Sequence, residues 1–255
     1  MEGVSRRPFQ GITNIMRFNW HFYVLAGVAI TGLLVGNYYL PAYLKTLTLL
    51  FILLASAGIF ISMSVSYYVY DRSNLYSLDW LNDLGIAQAK QLVNINAGFD
   101  ETSESLQQKY PDAELTVFDF YDPAKHTEVS IERARKAYPA YSGTKIISTN
   151  DIPLQPGSAD CIFLILAAHE IRNDKERTLF FQQLRNALTA NGKIIVVEHL
   201  RDMYNFMAYN IGFFHFLSKN NWERTFTSAE LSKKKEIKIT PFISVFILQK
   251  NGSTT

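Results

Sequence analysis

The chain has 255 residues, of which 48% are hydrophobic and 19% charged, and its formal net charge is +2. This holds one α/β domain and a smaller unit, and a balance so near neutral, with no basic stripe interleaved with aromatics, argues against a nucleic-acid partner. A single cysteine, Cys161, precludes an intrachain disulfide and fits a reducing compartment; within Cys161-Ile-Phe-Leu-Ile-Leu it reads as core packing.

The apolar residues concentrate first near the N-terminus. No Asp, Glu, Lys or Arg occurs between Arg17 and Lys45, nor between Lys45 and Asp71. Each gap is long enough for a helix of about 20 residues to cross a bilayer core. Spans are expected at residues 22–40 and 46–69, with Tyr23, Tyr38, Tyr39, Tyr43, Tyr67, Tyr68 and Tyr70 near their ends, where amphipathic rings favour the headgroup zone. The competing reading is a helical hairpin buried in a soluble protein. A cleaved signal peptide fits poorly, because a second apolar run follows at once. Arg6, Arg7 and Arg17 precede the first span and only Lys45 lies between the two, so both termini and the large C-terminal domain are expected in the cytoplasm, at the cell membrane.

Residues 71–90 read as a juxtamembrane connector with helical character, on the recurrence of Leu75, Leu78, Leu81 and Leu84. Beyond it, strands are expected at 91–95, 114–118, 145–148, 161–166, 193–198, 236–240 and 242–249. Helices are expected at 101–109, 127–137, 174–188 and 228–231. The alternation is that of a mostly parallel, Rossmann-like sheet covered by helices, and the last two strands form an antiparallel edge hairpin. In the helix at 174–188, Leu179, Phe180, Leu184, Ala187 and Leu188 share the packing face, and Asn191-Gly192 supplies a left-handed turn after it. Lys233-Lys-Lys235 reads as a solvated turn and the tail 251–255 as frayed. The domain plan is thus an anchor (1–70), the connector (71–90) and an α/β domain (91–255) with an aromatic insertion near 203–222.

The segment Leu92-Val-Asn-Ile-Asn-Ala-Gly-Phe-Asp100 is a buried strand entering a turn where a nucleotide-binding glycine loop is expected, and it keeps only Gly98. Asp119 follows about 20 positions later. Asn150-Asp-Ile-Pro-Leu-Gln-Pro-Gly-Ser-Ala-Asp160, with the apolar run after it, and Leu184-Arg-Asn-Ala-Leu-Thr-Ala-Asn-Gly-Lys-Ile-Ile-Val-Val-Glu198 resemble successive blocks of class I S-adenosylmethionine-dependent methyltransferases, closest to the small-molecule and quinone-methyltransferase branch. The resemblance runs from about Gln91 to Gln249. It implies an S-adenosylmethionine site formed by Asn94, Asn96, Gly98 and Asp100, with Asp119 on the ribose hydroxyls and Asn150 and Asp151 near the adenine. The family's acidic residue and outer glycines stand here as Asn94, Asn96 and Asp100. A strand-end cap is the plainer reading of Asp119.

Ala167-Ala-His-Glu-Ile-Arg172 follows a strand at the rim where open α/β sheets bind ligands, so His169 is the first candidate for a catalytic base and His199, in Val197-Glu-His-Leu-Arg201, the second. Glu170, Tyr204, Tyr209, Phe213 and His215 are expected at the acceptor, the last four from the nearly uncharged segment 203–217, which also reads as a core helix or a membrane-surface element. His169, Glu170, Glu198 and His199 have the composition of a metal site, but no HExxH spacing occurs and no metal is expected. The expected function is a membrane-anchored S-adenosylmethionine-dependent methyltransferase acting on a small apolar, aromatic or lipid-phase acceptor. A catalytically inactive, membrane-tethered binding or scaffold protein is the alternative, and a nicotinamide-dependent redox enzyme a third.

Overall fold

Seven strands build one sheet: β1 (Gln91–Asn96), β2 (Glu114–Asp119), β3 (Lys145–Ile146), β4 (Ala159–Ile165), β5 (Leu188–His199), β6 (Leu231–Thr240) and β7 (Ile243–Lys250). The computed structural model describes residues 6–126 and 128–252; Thr127, where one helix was expected to begin, and the end of the frayed tail, 253–255, lie outside the described residues. The strand order is β3-β2-β1-β4-β5-β7-β6, with β1 to β5 parallel and β7 inserted antiparallel between β5 and β6. The chain winds outward from β1 to β3 and returns beside β1 as β4. That reversal opens a crevice at the carboxyl ends of β1 and β4, the place where such sheets take ligands.

The helices are α1 (Gln10–Phe18), α2 (Trp20–Asn37), α3 (Ala42–Tyr67), α4 (Ser103–Lys109), α5 (Val129–Ala137), α6 (Asp174–Ala187), α7 (Met203–Tyr209) and α8 (Lys219–Ser228). Phe180, Phe181 and Leu184 of α6 and Trp222 and Phe226 of α8 bury one face of the sheet. The opposite face is covered by Leu106 of α4 and by the connector's Leu75, Leu78, Leu81 and Leu84. The connector is not α-helical. A π-turn (Tyr68–Arg72) ends α3 and a 3-10 helix spans Asp79–Leu84, and leucines three apart suit the three-residue turn of a 3-10 helix.

Cys161 is fully buried in β4, and desolvation pushes its thiol well above the ordinary range. It is expected to resist iodoacetamide in the folded protein and to react fully only in denaturant, as read by mass spectrometry.

Four local expectations are corrected. Residues 228–231 are no helix: α8 ends at Ser228, Glu230 turns left-handed (φ 55°) and β6 begins at Leu231. Asn191-Gly192 is not a left-handed cap, because α6 passes directly into β5 at an extended Leu188 and both residues lie in that strand. Leu179 is 53% exposed, and Arg177 and Phe181 are buried in its stead. Lys233-Lys-Lys235 lies in edge strand β6 rather than a turn, with Lys233 paired to Glu223 and Glu236, and lysines on an edge discourage further strand pairing.

Helices α2 and α3 are both long and apolar enough to cross a membrane, and they are almost wholly unburied. Val28, Val35, Phe51, Leu54 and Phe60 are each more than 60% exposed.

Candidate active site

The crevice between β1 and β4 holds a cavity of about 310 Å³. The first wall is the loop after β1. The Asn94 amide donates to Thr102 Oγ1 (3.1 Å) and Ser103 Oγ (2.8 Å), and Asp100 Oδ1 accepts from the backbone N–H of Thr102 (2.9 Å) and Ser103 (3.0 Å). Asp100 thereby caps the start of α4. Asn96 Oδ1 accepts from the Gly98 N–H at 3.2 Å. Gly98 has φ 101°, which favours glycine. Asn94 and Asn96 line the cavity.

The second wall comes from the carboxyl ends of β4 and β5. Glu198 holds His169 twice, accepting from its backbone N–H (3.1 Å) and from Nδ1 (2.7 Å), and Nε2 lies 3.2 Å from Glu170 Oε1. Burial alone would lower the basicity of this imidazole. The Glu198 charge and the hydrogen bonds to Glu170 and Glu198 outweigh it and raise its pKa to about 10, so the ring carries its proton at neutral pH. Burial works against the Glu170 charge, but hydrogen bonds from His169 and His215 keep its carboxyl well below the usual range.

His199 is different. The Asn205 amide donates to Asp202 Oδ1 and the Phe242 carbonyl, so its oxygen faces His199 Nδ1 at 3.0 Å. Nδ1 therefore carries the hydrogen, and Nε2 accepts from the Tyr70 hydroxyl at 2.8 Å. Burial, only partly offset by the Asn205 bond, lowers its pKa to about 4. His199 lines the cavity as a neutral ring whose free lone pair is already spent on Tyr70.

The third wall was not anticipated from the sequence. Gly11, Asn14, Ile15 and Phe18, one face of α1, close over the cavity beside Tyr70 and Tyr76. Asp71 accepts from the N–H groups of Gly11 (2.7 Å) and Ile12 (2.8 Å), which fixes α1 against the end of α3. A Cβ on Gly11 would sit 2.5 Å from that of Tyr70, so only glycine permits the approach. Arg6 and the Tyr76 hydroxyl both bind Glu101, each at 2.8 Å, tying the N-terminal segment to the loop after β1. The helical spacing of Gly11, Asn14, Ile15 and Phe18 was the available signal.

Other expected residues lie elsewhere. Asp119 is buried beneath Arg135, which binds both its carboxylate and the Gly98 carbonyl, and it does not line the cavity. Asn150 and Asp151 sit in an exposed turn closed by a Ser148–Asp151 bridge. Of the five acceptor candidates, Glu170 and His215 reach the cavity. Tyr204 is exposed on α7, Phe213 packs on Phe206 and Phe214, and Tyr209 lies between α3 and the His199 and Phe216 rings.

S-adenosylmethionine, the cofactor implied by the resemblance, fits this site in two unequal halves. Asn96 Nδ2 and Asp100 Oδ2 are buried without partners, a donor and an acceptor suited to the charged methionyl end. The ribose end is filled by the chain itself: a Cβ on Gly98 would meet the Tyr121 ring at 2.9 Å and Ile131 at 3.0 Å, and Arg135 stacks on Tyr121 while holding Asp119.

A search of curated proteins finds no match. Among solved structures, the chain is similar to human N-acetylserotonin methyltransferase in complex with S-adenosylmethionine (14% identity, TM-score 0.52, 76% of this chain and 55% of that one). It is also similar to an O-methyltransferase family 2 protein from Planctomyces limnophilus in complex with apigenin (14%, 0.51, 76% and 61%). A third likeness is to a protein of Pyrococcus horikoshii (12%, 0.50, 69% and 88%). The chain thus spans little more than half the length of the first two, and at these identities the likeness concerns the fold. The family model of the O-methyltransferase domain matches residues 61–233, about two thirds of the chain, and the chain belongs to that family.

Proposed function

We propose that this protein is a membrane-anchored methyltransferase whose acceptor is a small apolar or aromatic molecule, taken from the lipid phase at the cytoplasmic face. The carrying observation is that the apolar hairpin and the cavity share parts: Tyr70, at the end of α3, lines the cavity and donates to His199, and Asp71 anchors α1 over it. Because α1 docks on the catalytic domain, α1 and that domain lie on the same side of the hairpin, in agreement with the arginines before α2.

The aromatic insertion supports the same reading. Asn210, just after α7, lies against Gly58 of α3, nine residues before the end of that helix at Tyr67 and so about 14 Å along it. Met203, Tyr204, Met207, Ile211 and Phe214 are each more than 60% exposed on this element. An exposed apolar surface of that kind beside a spanning helix suits contact with the lipid phase.

When bound, the cofactor supplies an electrophilic methyl group on sulfur. Asn94, Asn96, Asp100 and Glu101 would hold its methionyl end and Asp119 its ribose, once Arg135 has left that carboxylate. His169 carries its proton at neutral pH, so the acceptor's proton is taken by its neutral form at Nε2, and the imidazolium that results is held by Glu170 and Glu198. Tyr70 and His199 form a neutral hydrogen-bonded pair that orients the acceptor.

Titration of the detergent-solubilised protein with S-adenosylmethionine tests this reading; absence of binding at millimolar ligand would overturn it and leave a tethered protein without cofactor. Asp119→Ala is expected to weaken binding by about 1.5–3 kcal/mol, the scale of a hydrogen bond to a charged group. Arg135→Ala is expected to act oppositely and tighten it, because it removes the competitor for the same carboxylate. Equal weakening by both substitutions would show that Arg135 belongs to the bound site and does not obstruct it.

A further inference from the structure

His169, Glu170 and His215 converge on one point of the cavity wall. Glu170 Oε1 lies 3.2 Å from His169 Nε2 and 3.4 Å from His215 Nε2, and the three candidate ligand atoms lie within 4.8 Å of one another. A tetrahedral ion with bonds of about 2.1 Å has ligand-to-ligand edges of about 3.4 Å. Both rings are also held from behind: His169 Nδ1 by Glu198 at 2.7 Å and His215 Nδ1 by Glu128 at 2.9 Å. A carboxylate on the far nitrogen is what fixes the tautomer and aim of a metal-binding histidine. We propose that His169, Glu170 and His215 form a site for a divalent cation of the zinc class, with its fourth position open to the cavity.

The local charge agrees with such an occupant. With both imidazoles neutral, the carboxylates of Glu128, Glu170 and Glu198, offset by the Arg172 guanidinium, leave two negative charges. Arg172 is the competing cation. Its Nη2 lies 2.6 and 2.7 Å from the two ring nitrogens of His215, it also donates to the His215 carbonyl, and its side chain is exposed and able to swing clear. The sequence-level grouping with His199 does not form, since the Nε2 of His199 is bonded to Tyr70, and His215 from the aromatic insertion takes that place. An ion here occupies Nε2 of His169, so binding closes the proton-accepting cluster. The site itself does not depend on methyl transfer.

The test is calorimetric titration of the untagged, full-length protein in detergent with Zn²⁺, together with the visible absorption of Co²⁺ in its place. One equivalent per chain and the intense bands of tetrahedral cobalt are expected. His215→Ala and Glu170→Gln should abolish both signals, Glu198→Gln should weaken affinity about 10- to 100-fold, and Arg172→Ala should tighten it. Far-UV circular dichroism checks that each variant is folded. Absence of stoichiometric binding by the parent and by Arg172→Ala, or binding unchanged in His215→Ala and Glu170→Gln, overturns the proposal.

Discussion

Replacement of His169 by alanine is expected to lower turnover about 10²- to 10⁴-fold, the contribution of a positioned proton-transfer group, while leaving the affinity for S-adenosylmethionine intact. The split follows from the geometry. His169 stands on the β4 side of the cavity with Glu198 behind it, whereas the groups assigned to the cofactor lie on the β1 and β2 side. The substitution also leaves Glu198 buried at 1% exposure, with one carboxylate oxygen retaining only the backbone N–H of residue 169 and the other losing its partner. His169→Gln restores a donor toward Glu198 without a titrating group. If the lost interaction is only structural, glutamine should recover turnover; if the imidazole moves a proton, glutamine should recover stability and leave turnover low. Thermal unfolding and kcat measured on both variants separate the two.

The sheet was legible because its strands are dense apolar runs. Leu92–Ile95 and Cys161–Leu164 are buried on both faces in a parallel sheet, and all seven strands fall at their expected places, although β5 and β6 each begin five residues earlier than expected. The β4 rim was equally legible, since a short polar motif after an apolar strand has few positions open to it, and His169 and Glu170 stand on the cavity wall. Three parts were not legible, each because it depends on distant contacts. Helix α1 becomes a wall only through Asp71, some 60 residues away in sequence, and only because Gly11 allows close approach to Tyr70. Asp119 stands at the expected strand end, but its carboxylate is taken by Arg135 from α5, a pairing that no strand pattern encodes. The tautomer of His199 is set by Asn205 and a carbonyl of the β6–β7 turn, which leaves its lone pair to Tyr70.

Trp222→Ala is expected to destabilise the α/β domain by about 3–5 kcal/mol, the cost of truncating a fully buried large aromatic. Trp222 has no exposed surface and lies between helices: its ring stacks on Phe226 (5.8 Å between centroids, 22°), meets Phe181 edge-on at 6.3 Å, and lies 5.6 Å from the guanidinium carbon of Arg177. Arg177 is buried as well, bonded to Thr225 Oγ1, the Ile171 carbonyl and Asp174, so removal of the indole takes away one side of its enclosure. A collapse of α8 into the void would draw on Phe226, which also packs against Phe246 of β7, and the damage would spread to the antiparallel edge. Trp222→Phe should cost far less, because the indole N–H is buried without a partner and the smaller ring removes that unmet donor while keeping most of the contact area. Chemical denaturation of the two variants in detergent, followed by circular dichroism, checks the ordering. Equal losses for phenylalanine and alanine would mean that the indole's full breadth, rather than aromatic packing as such, holds α8 to α6.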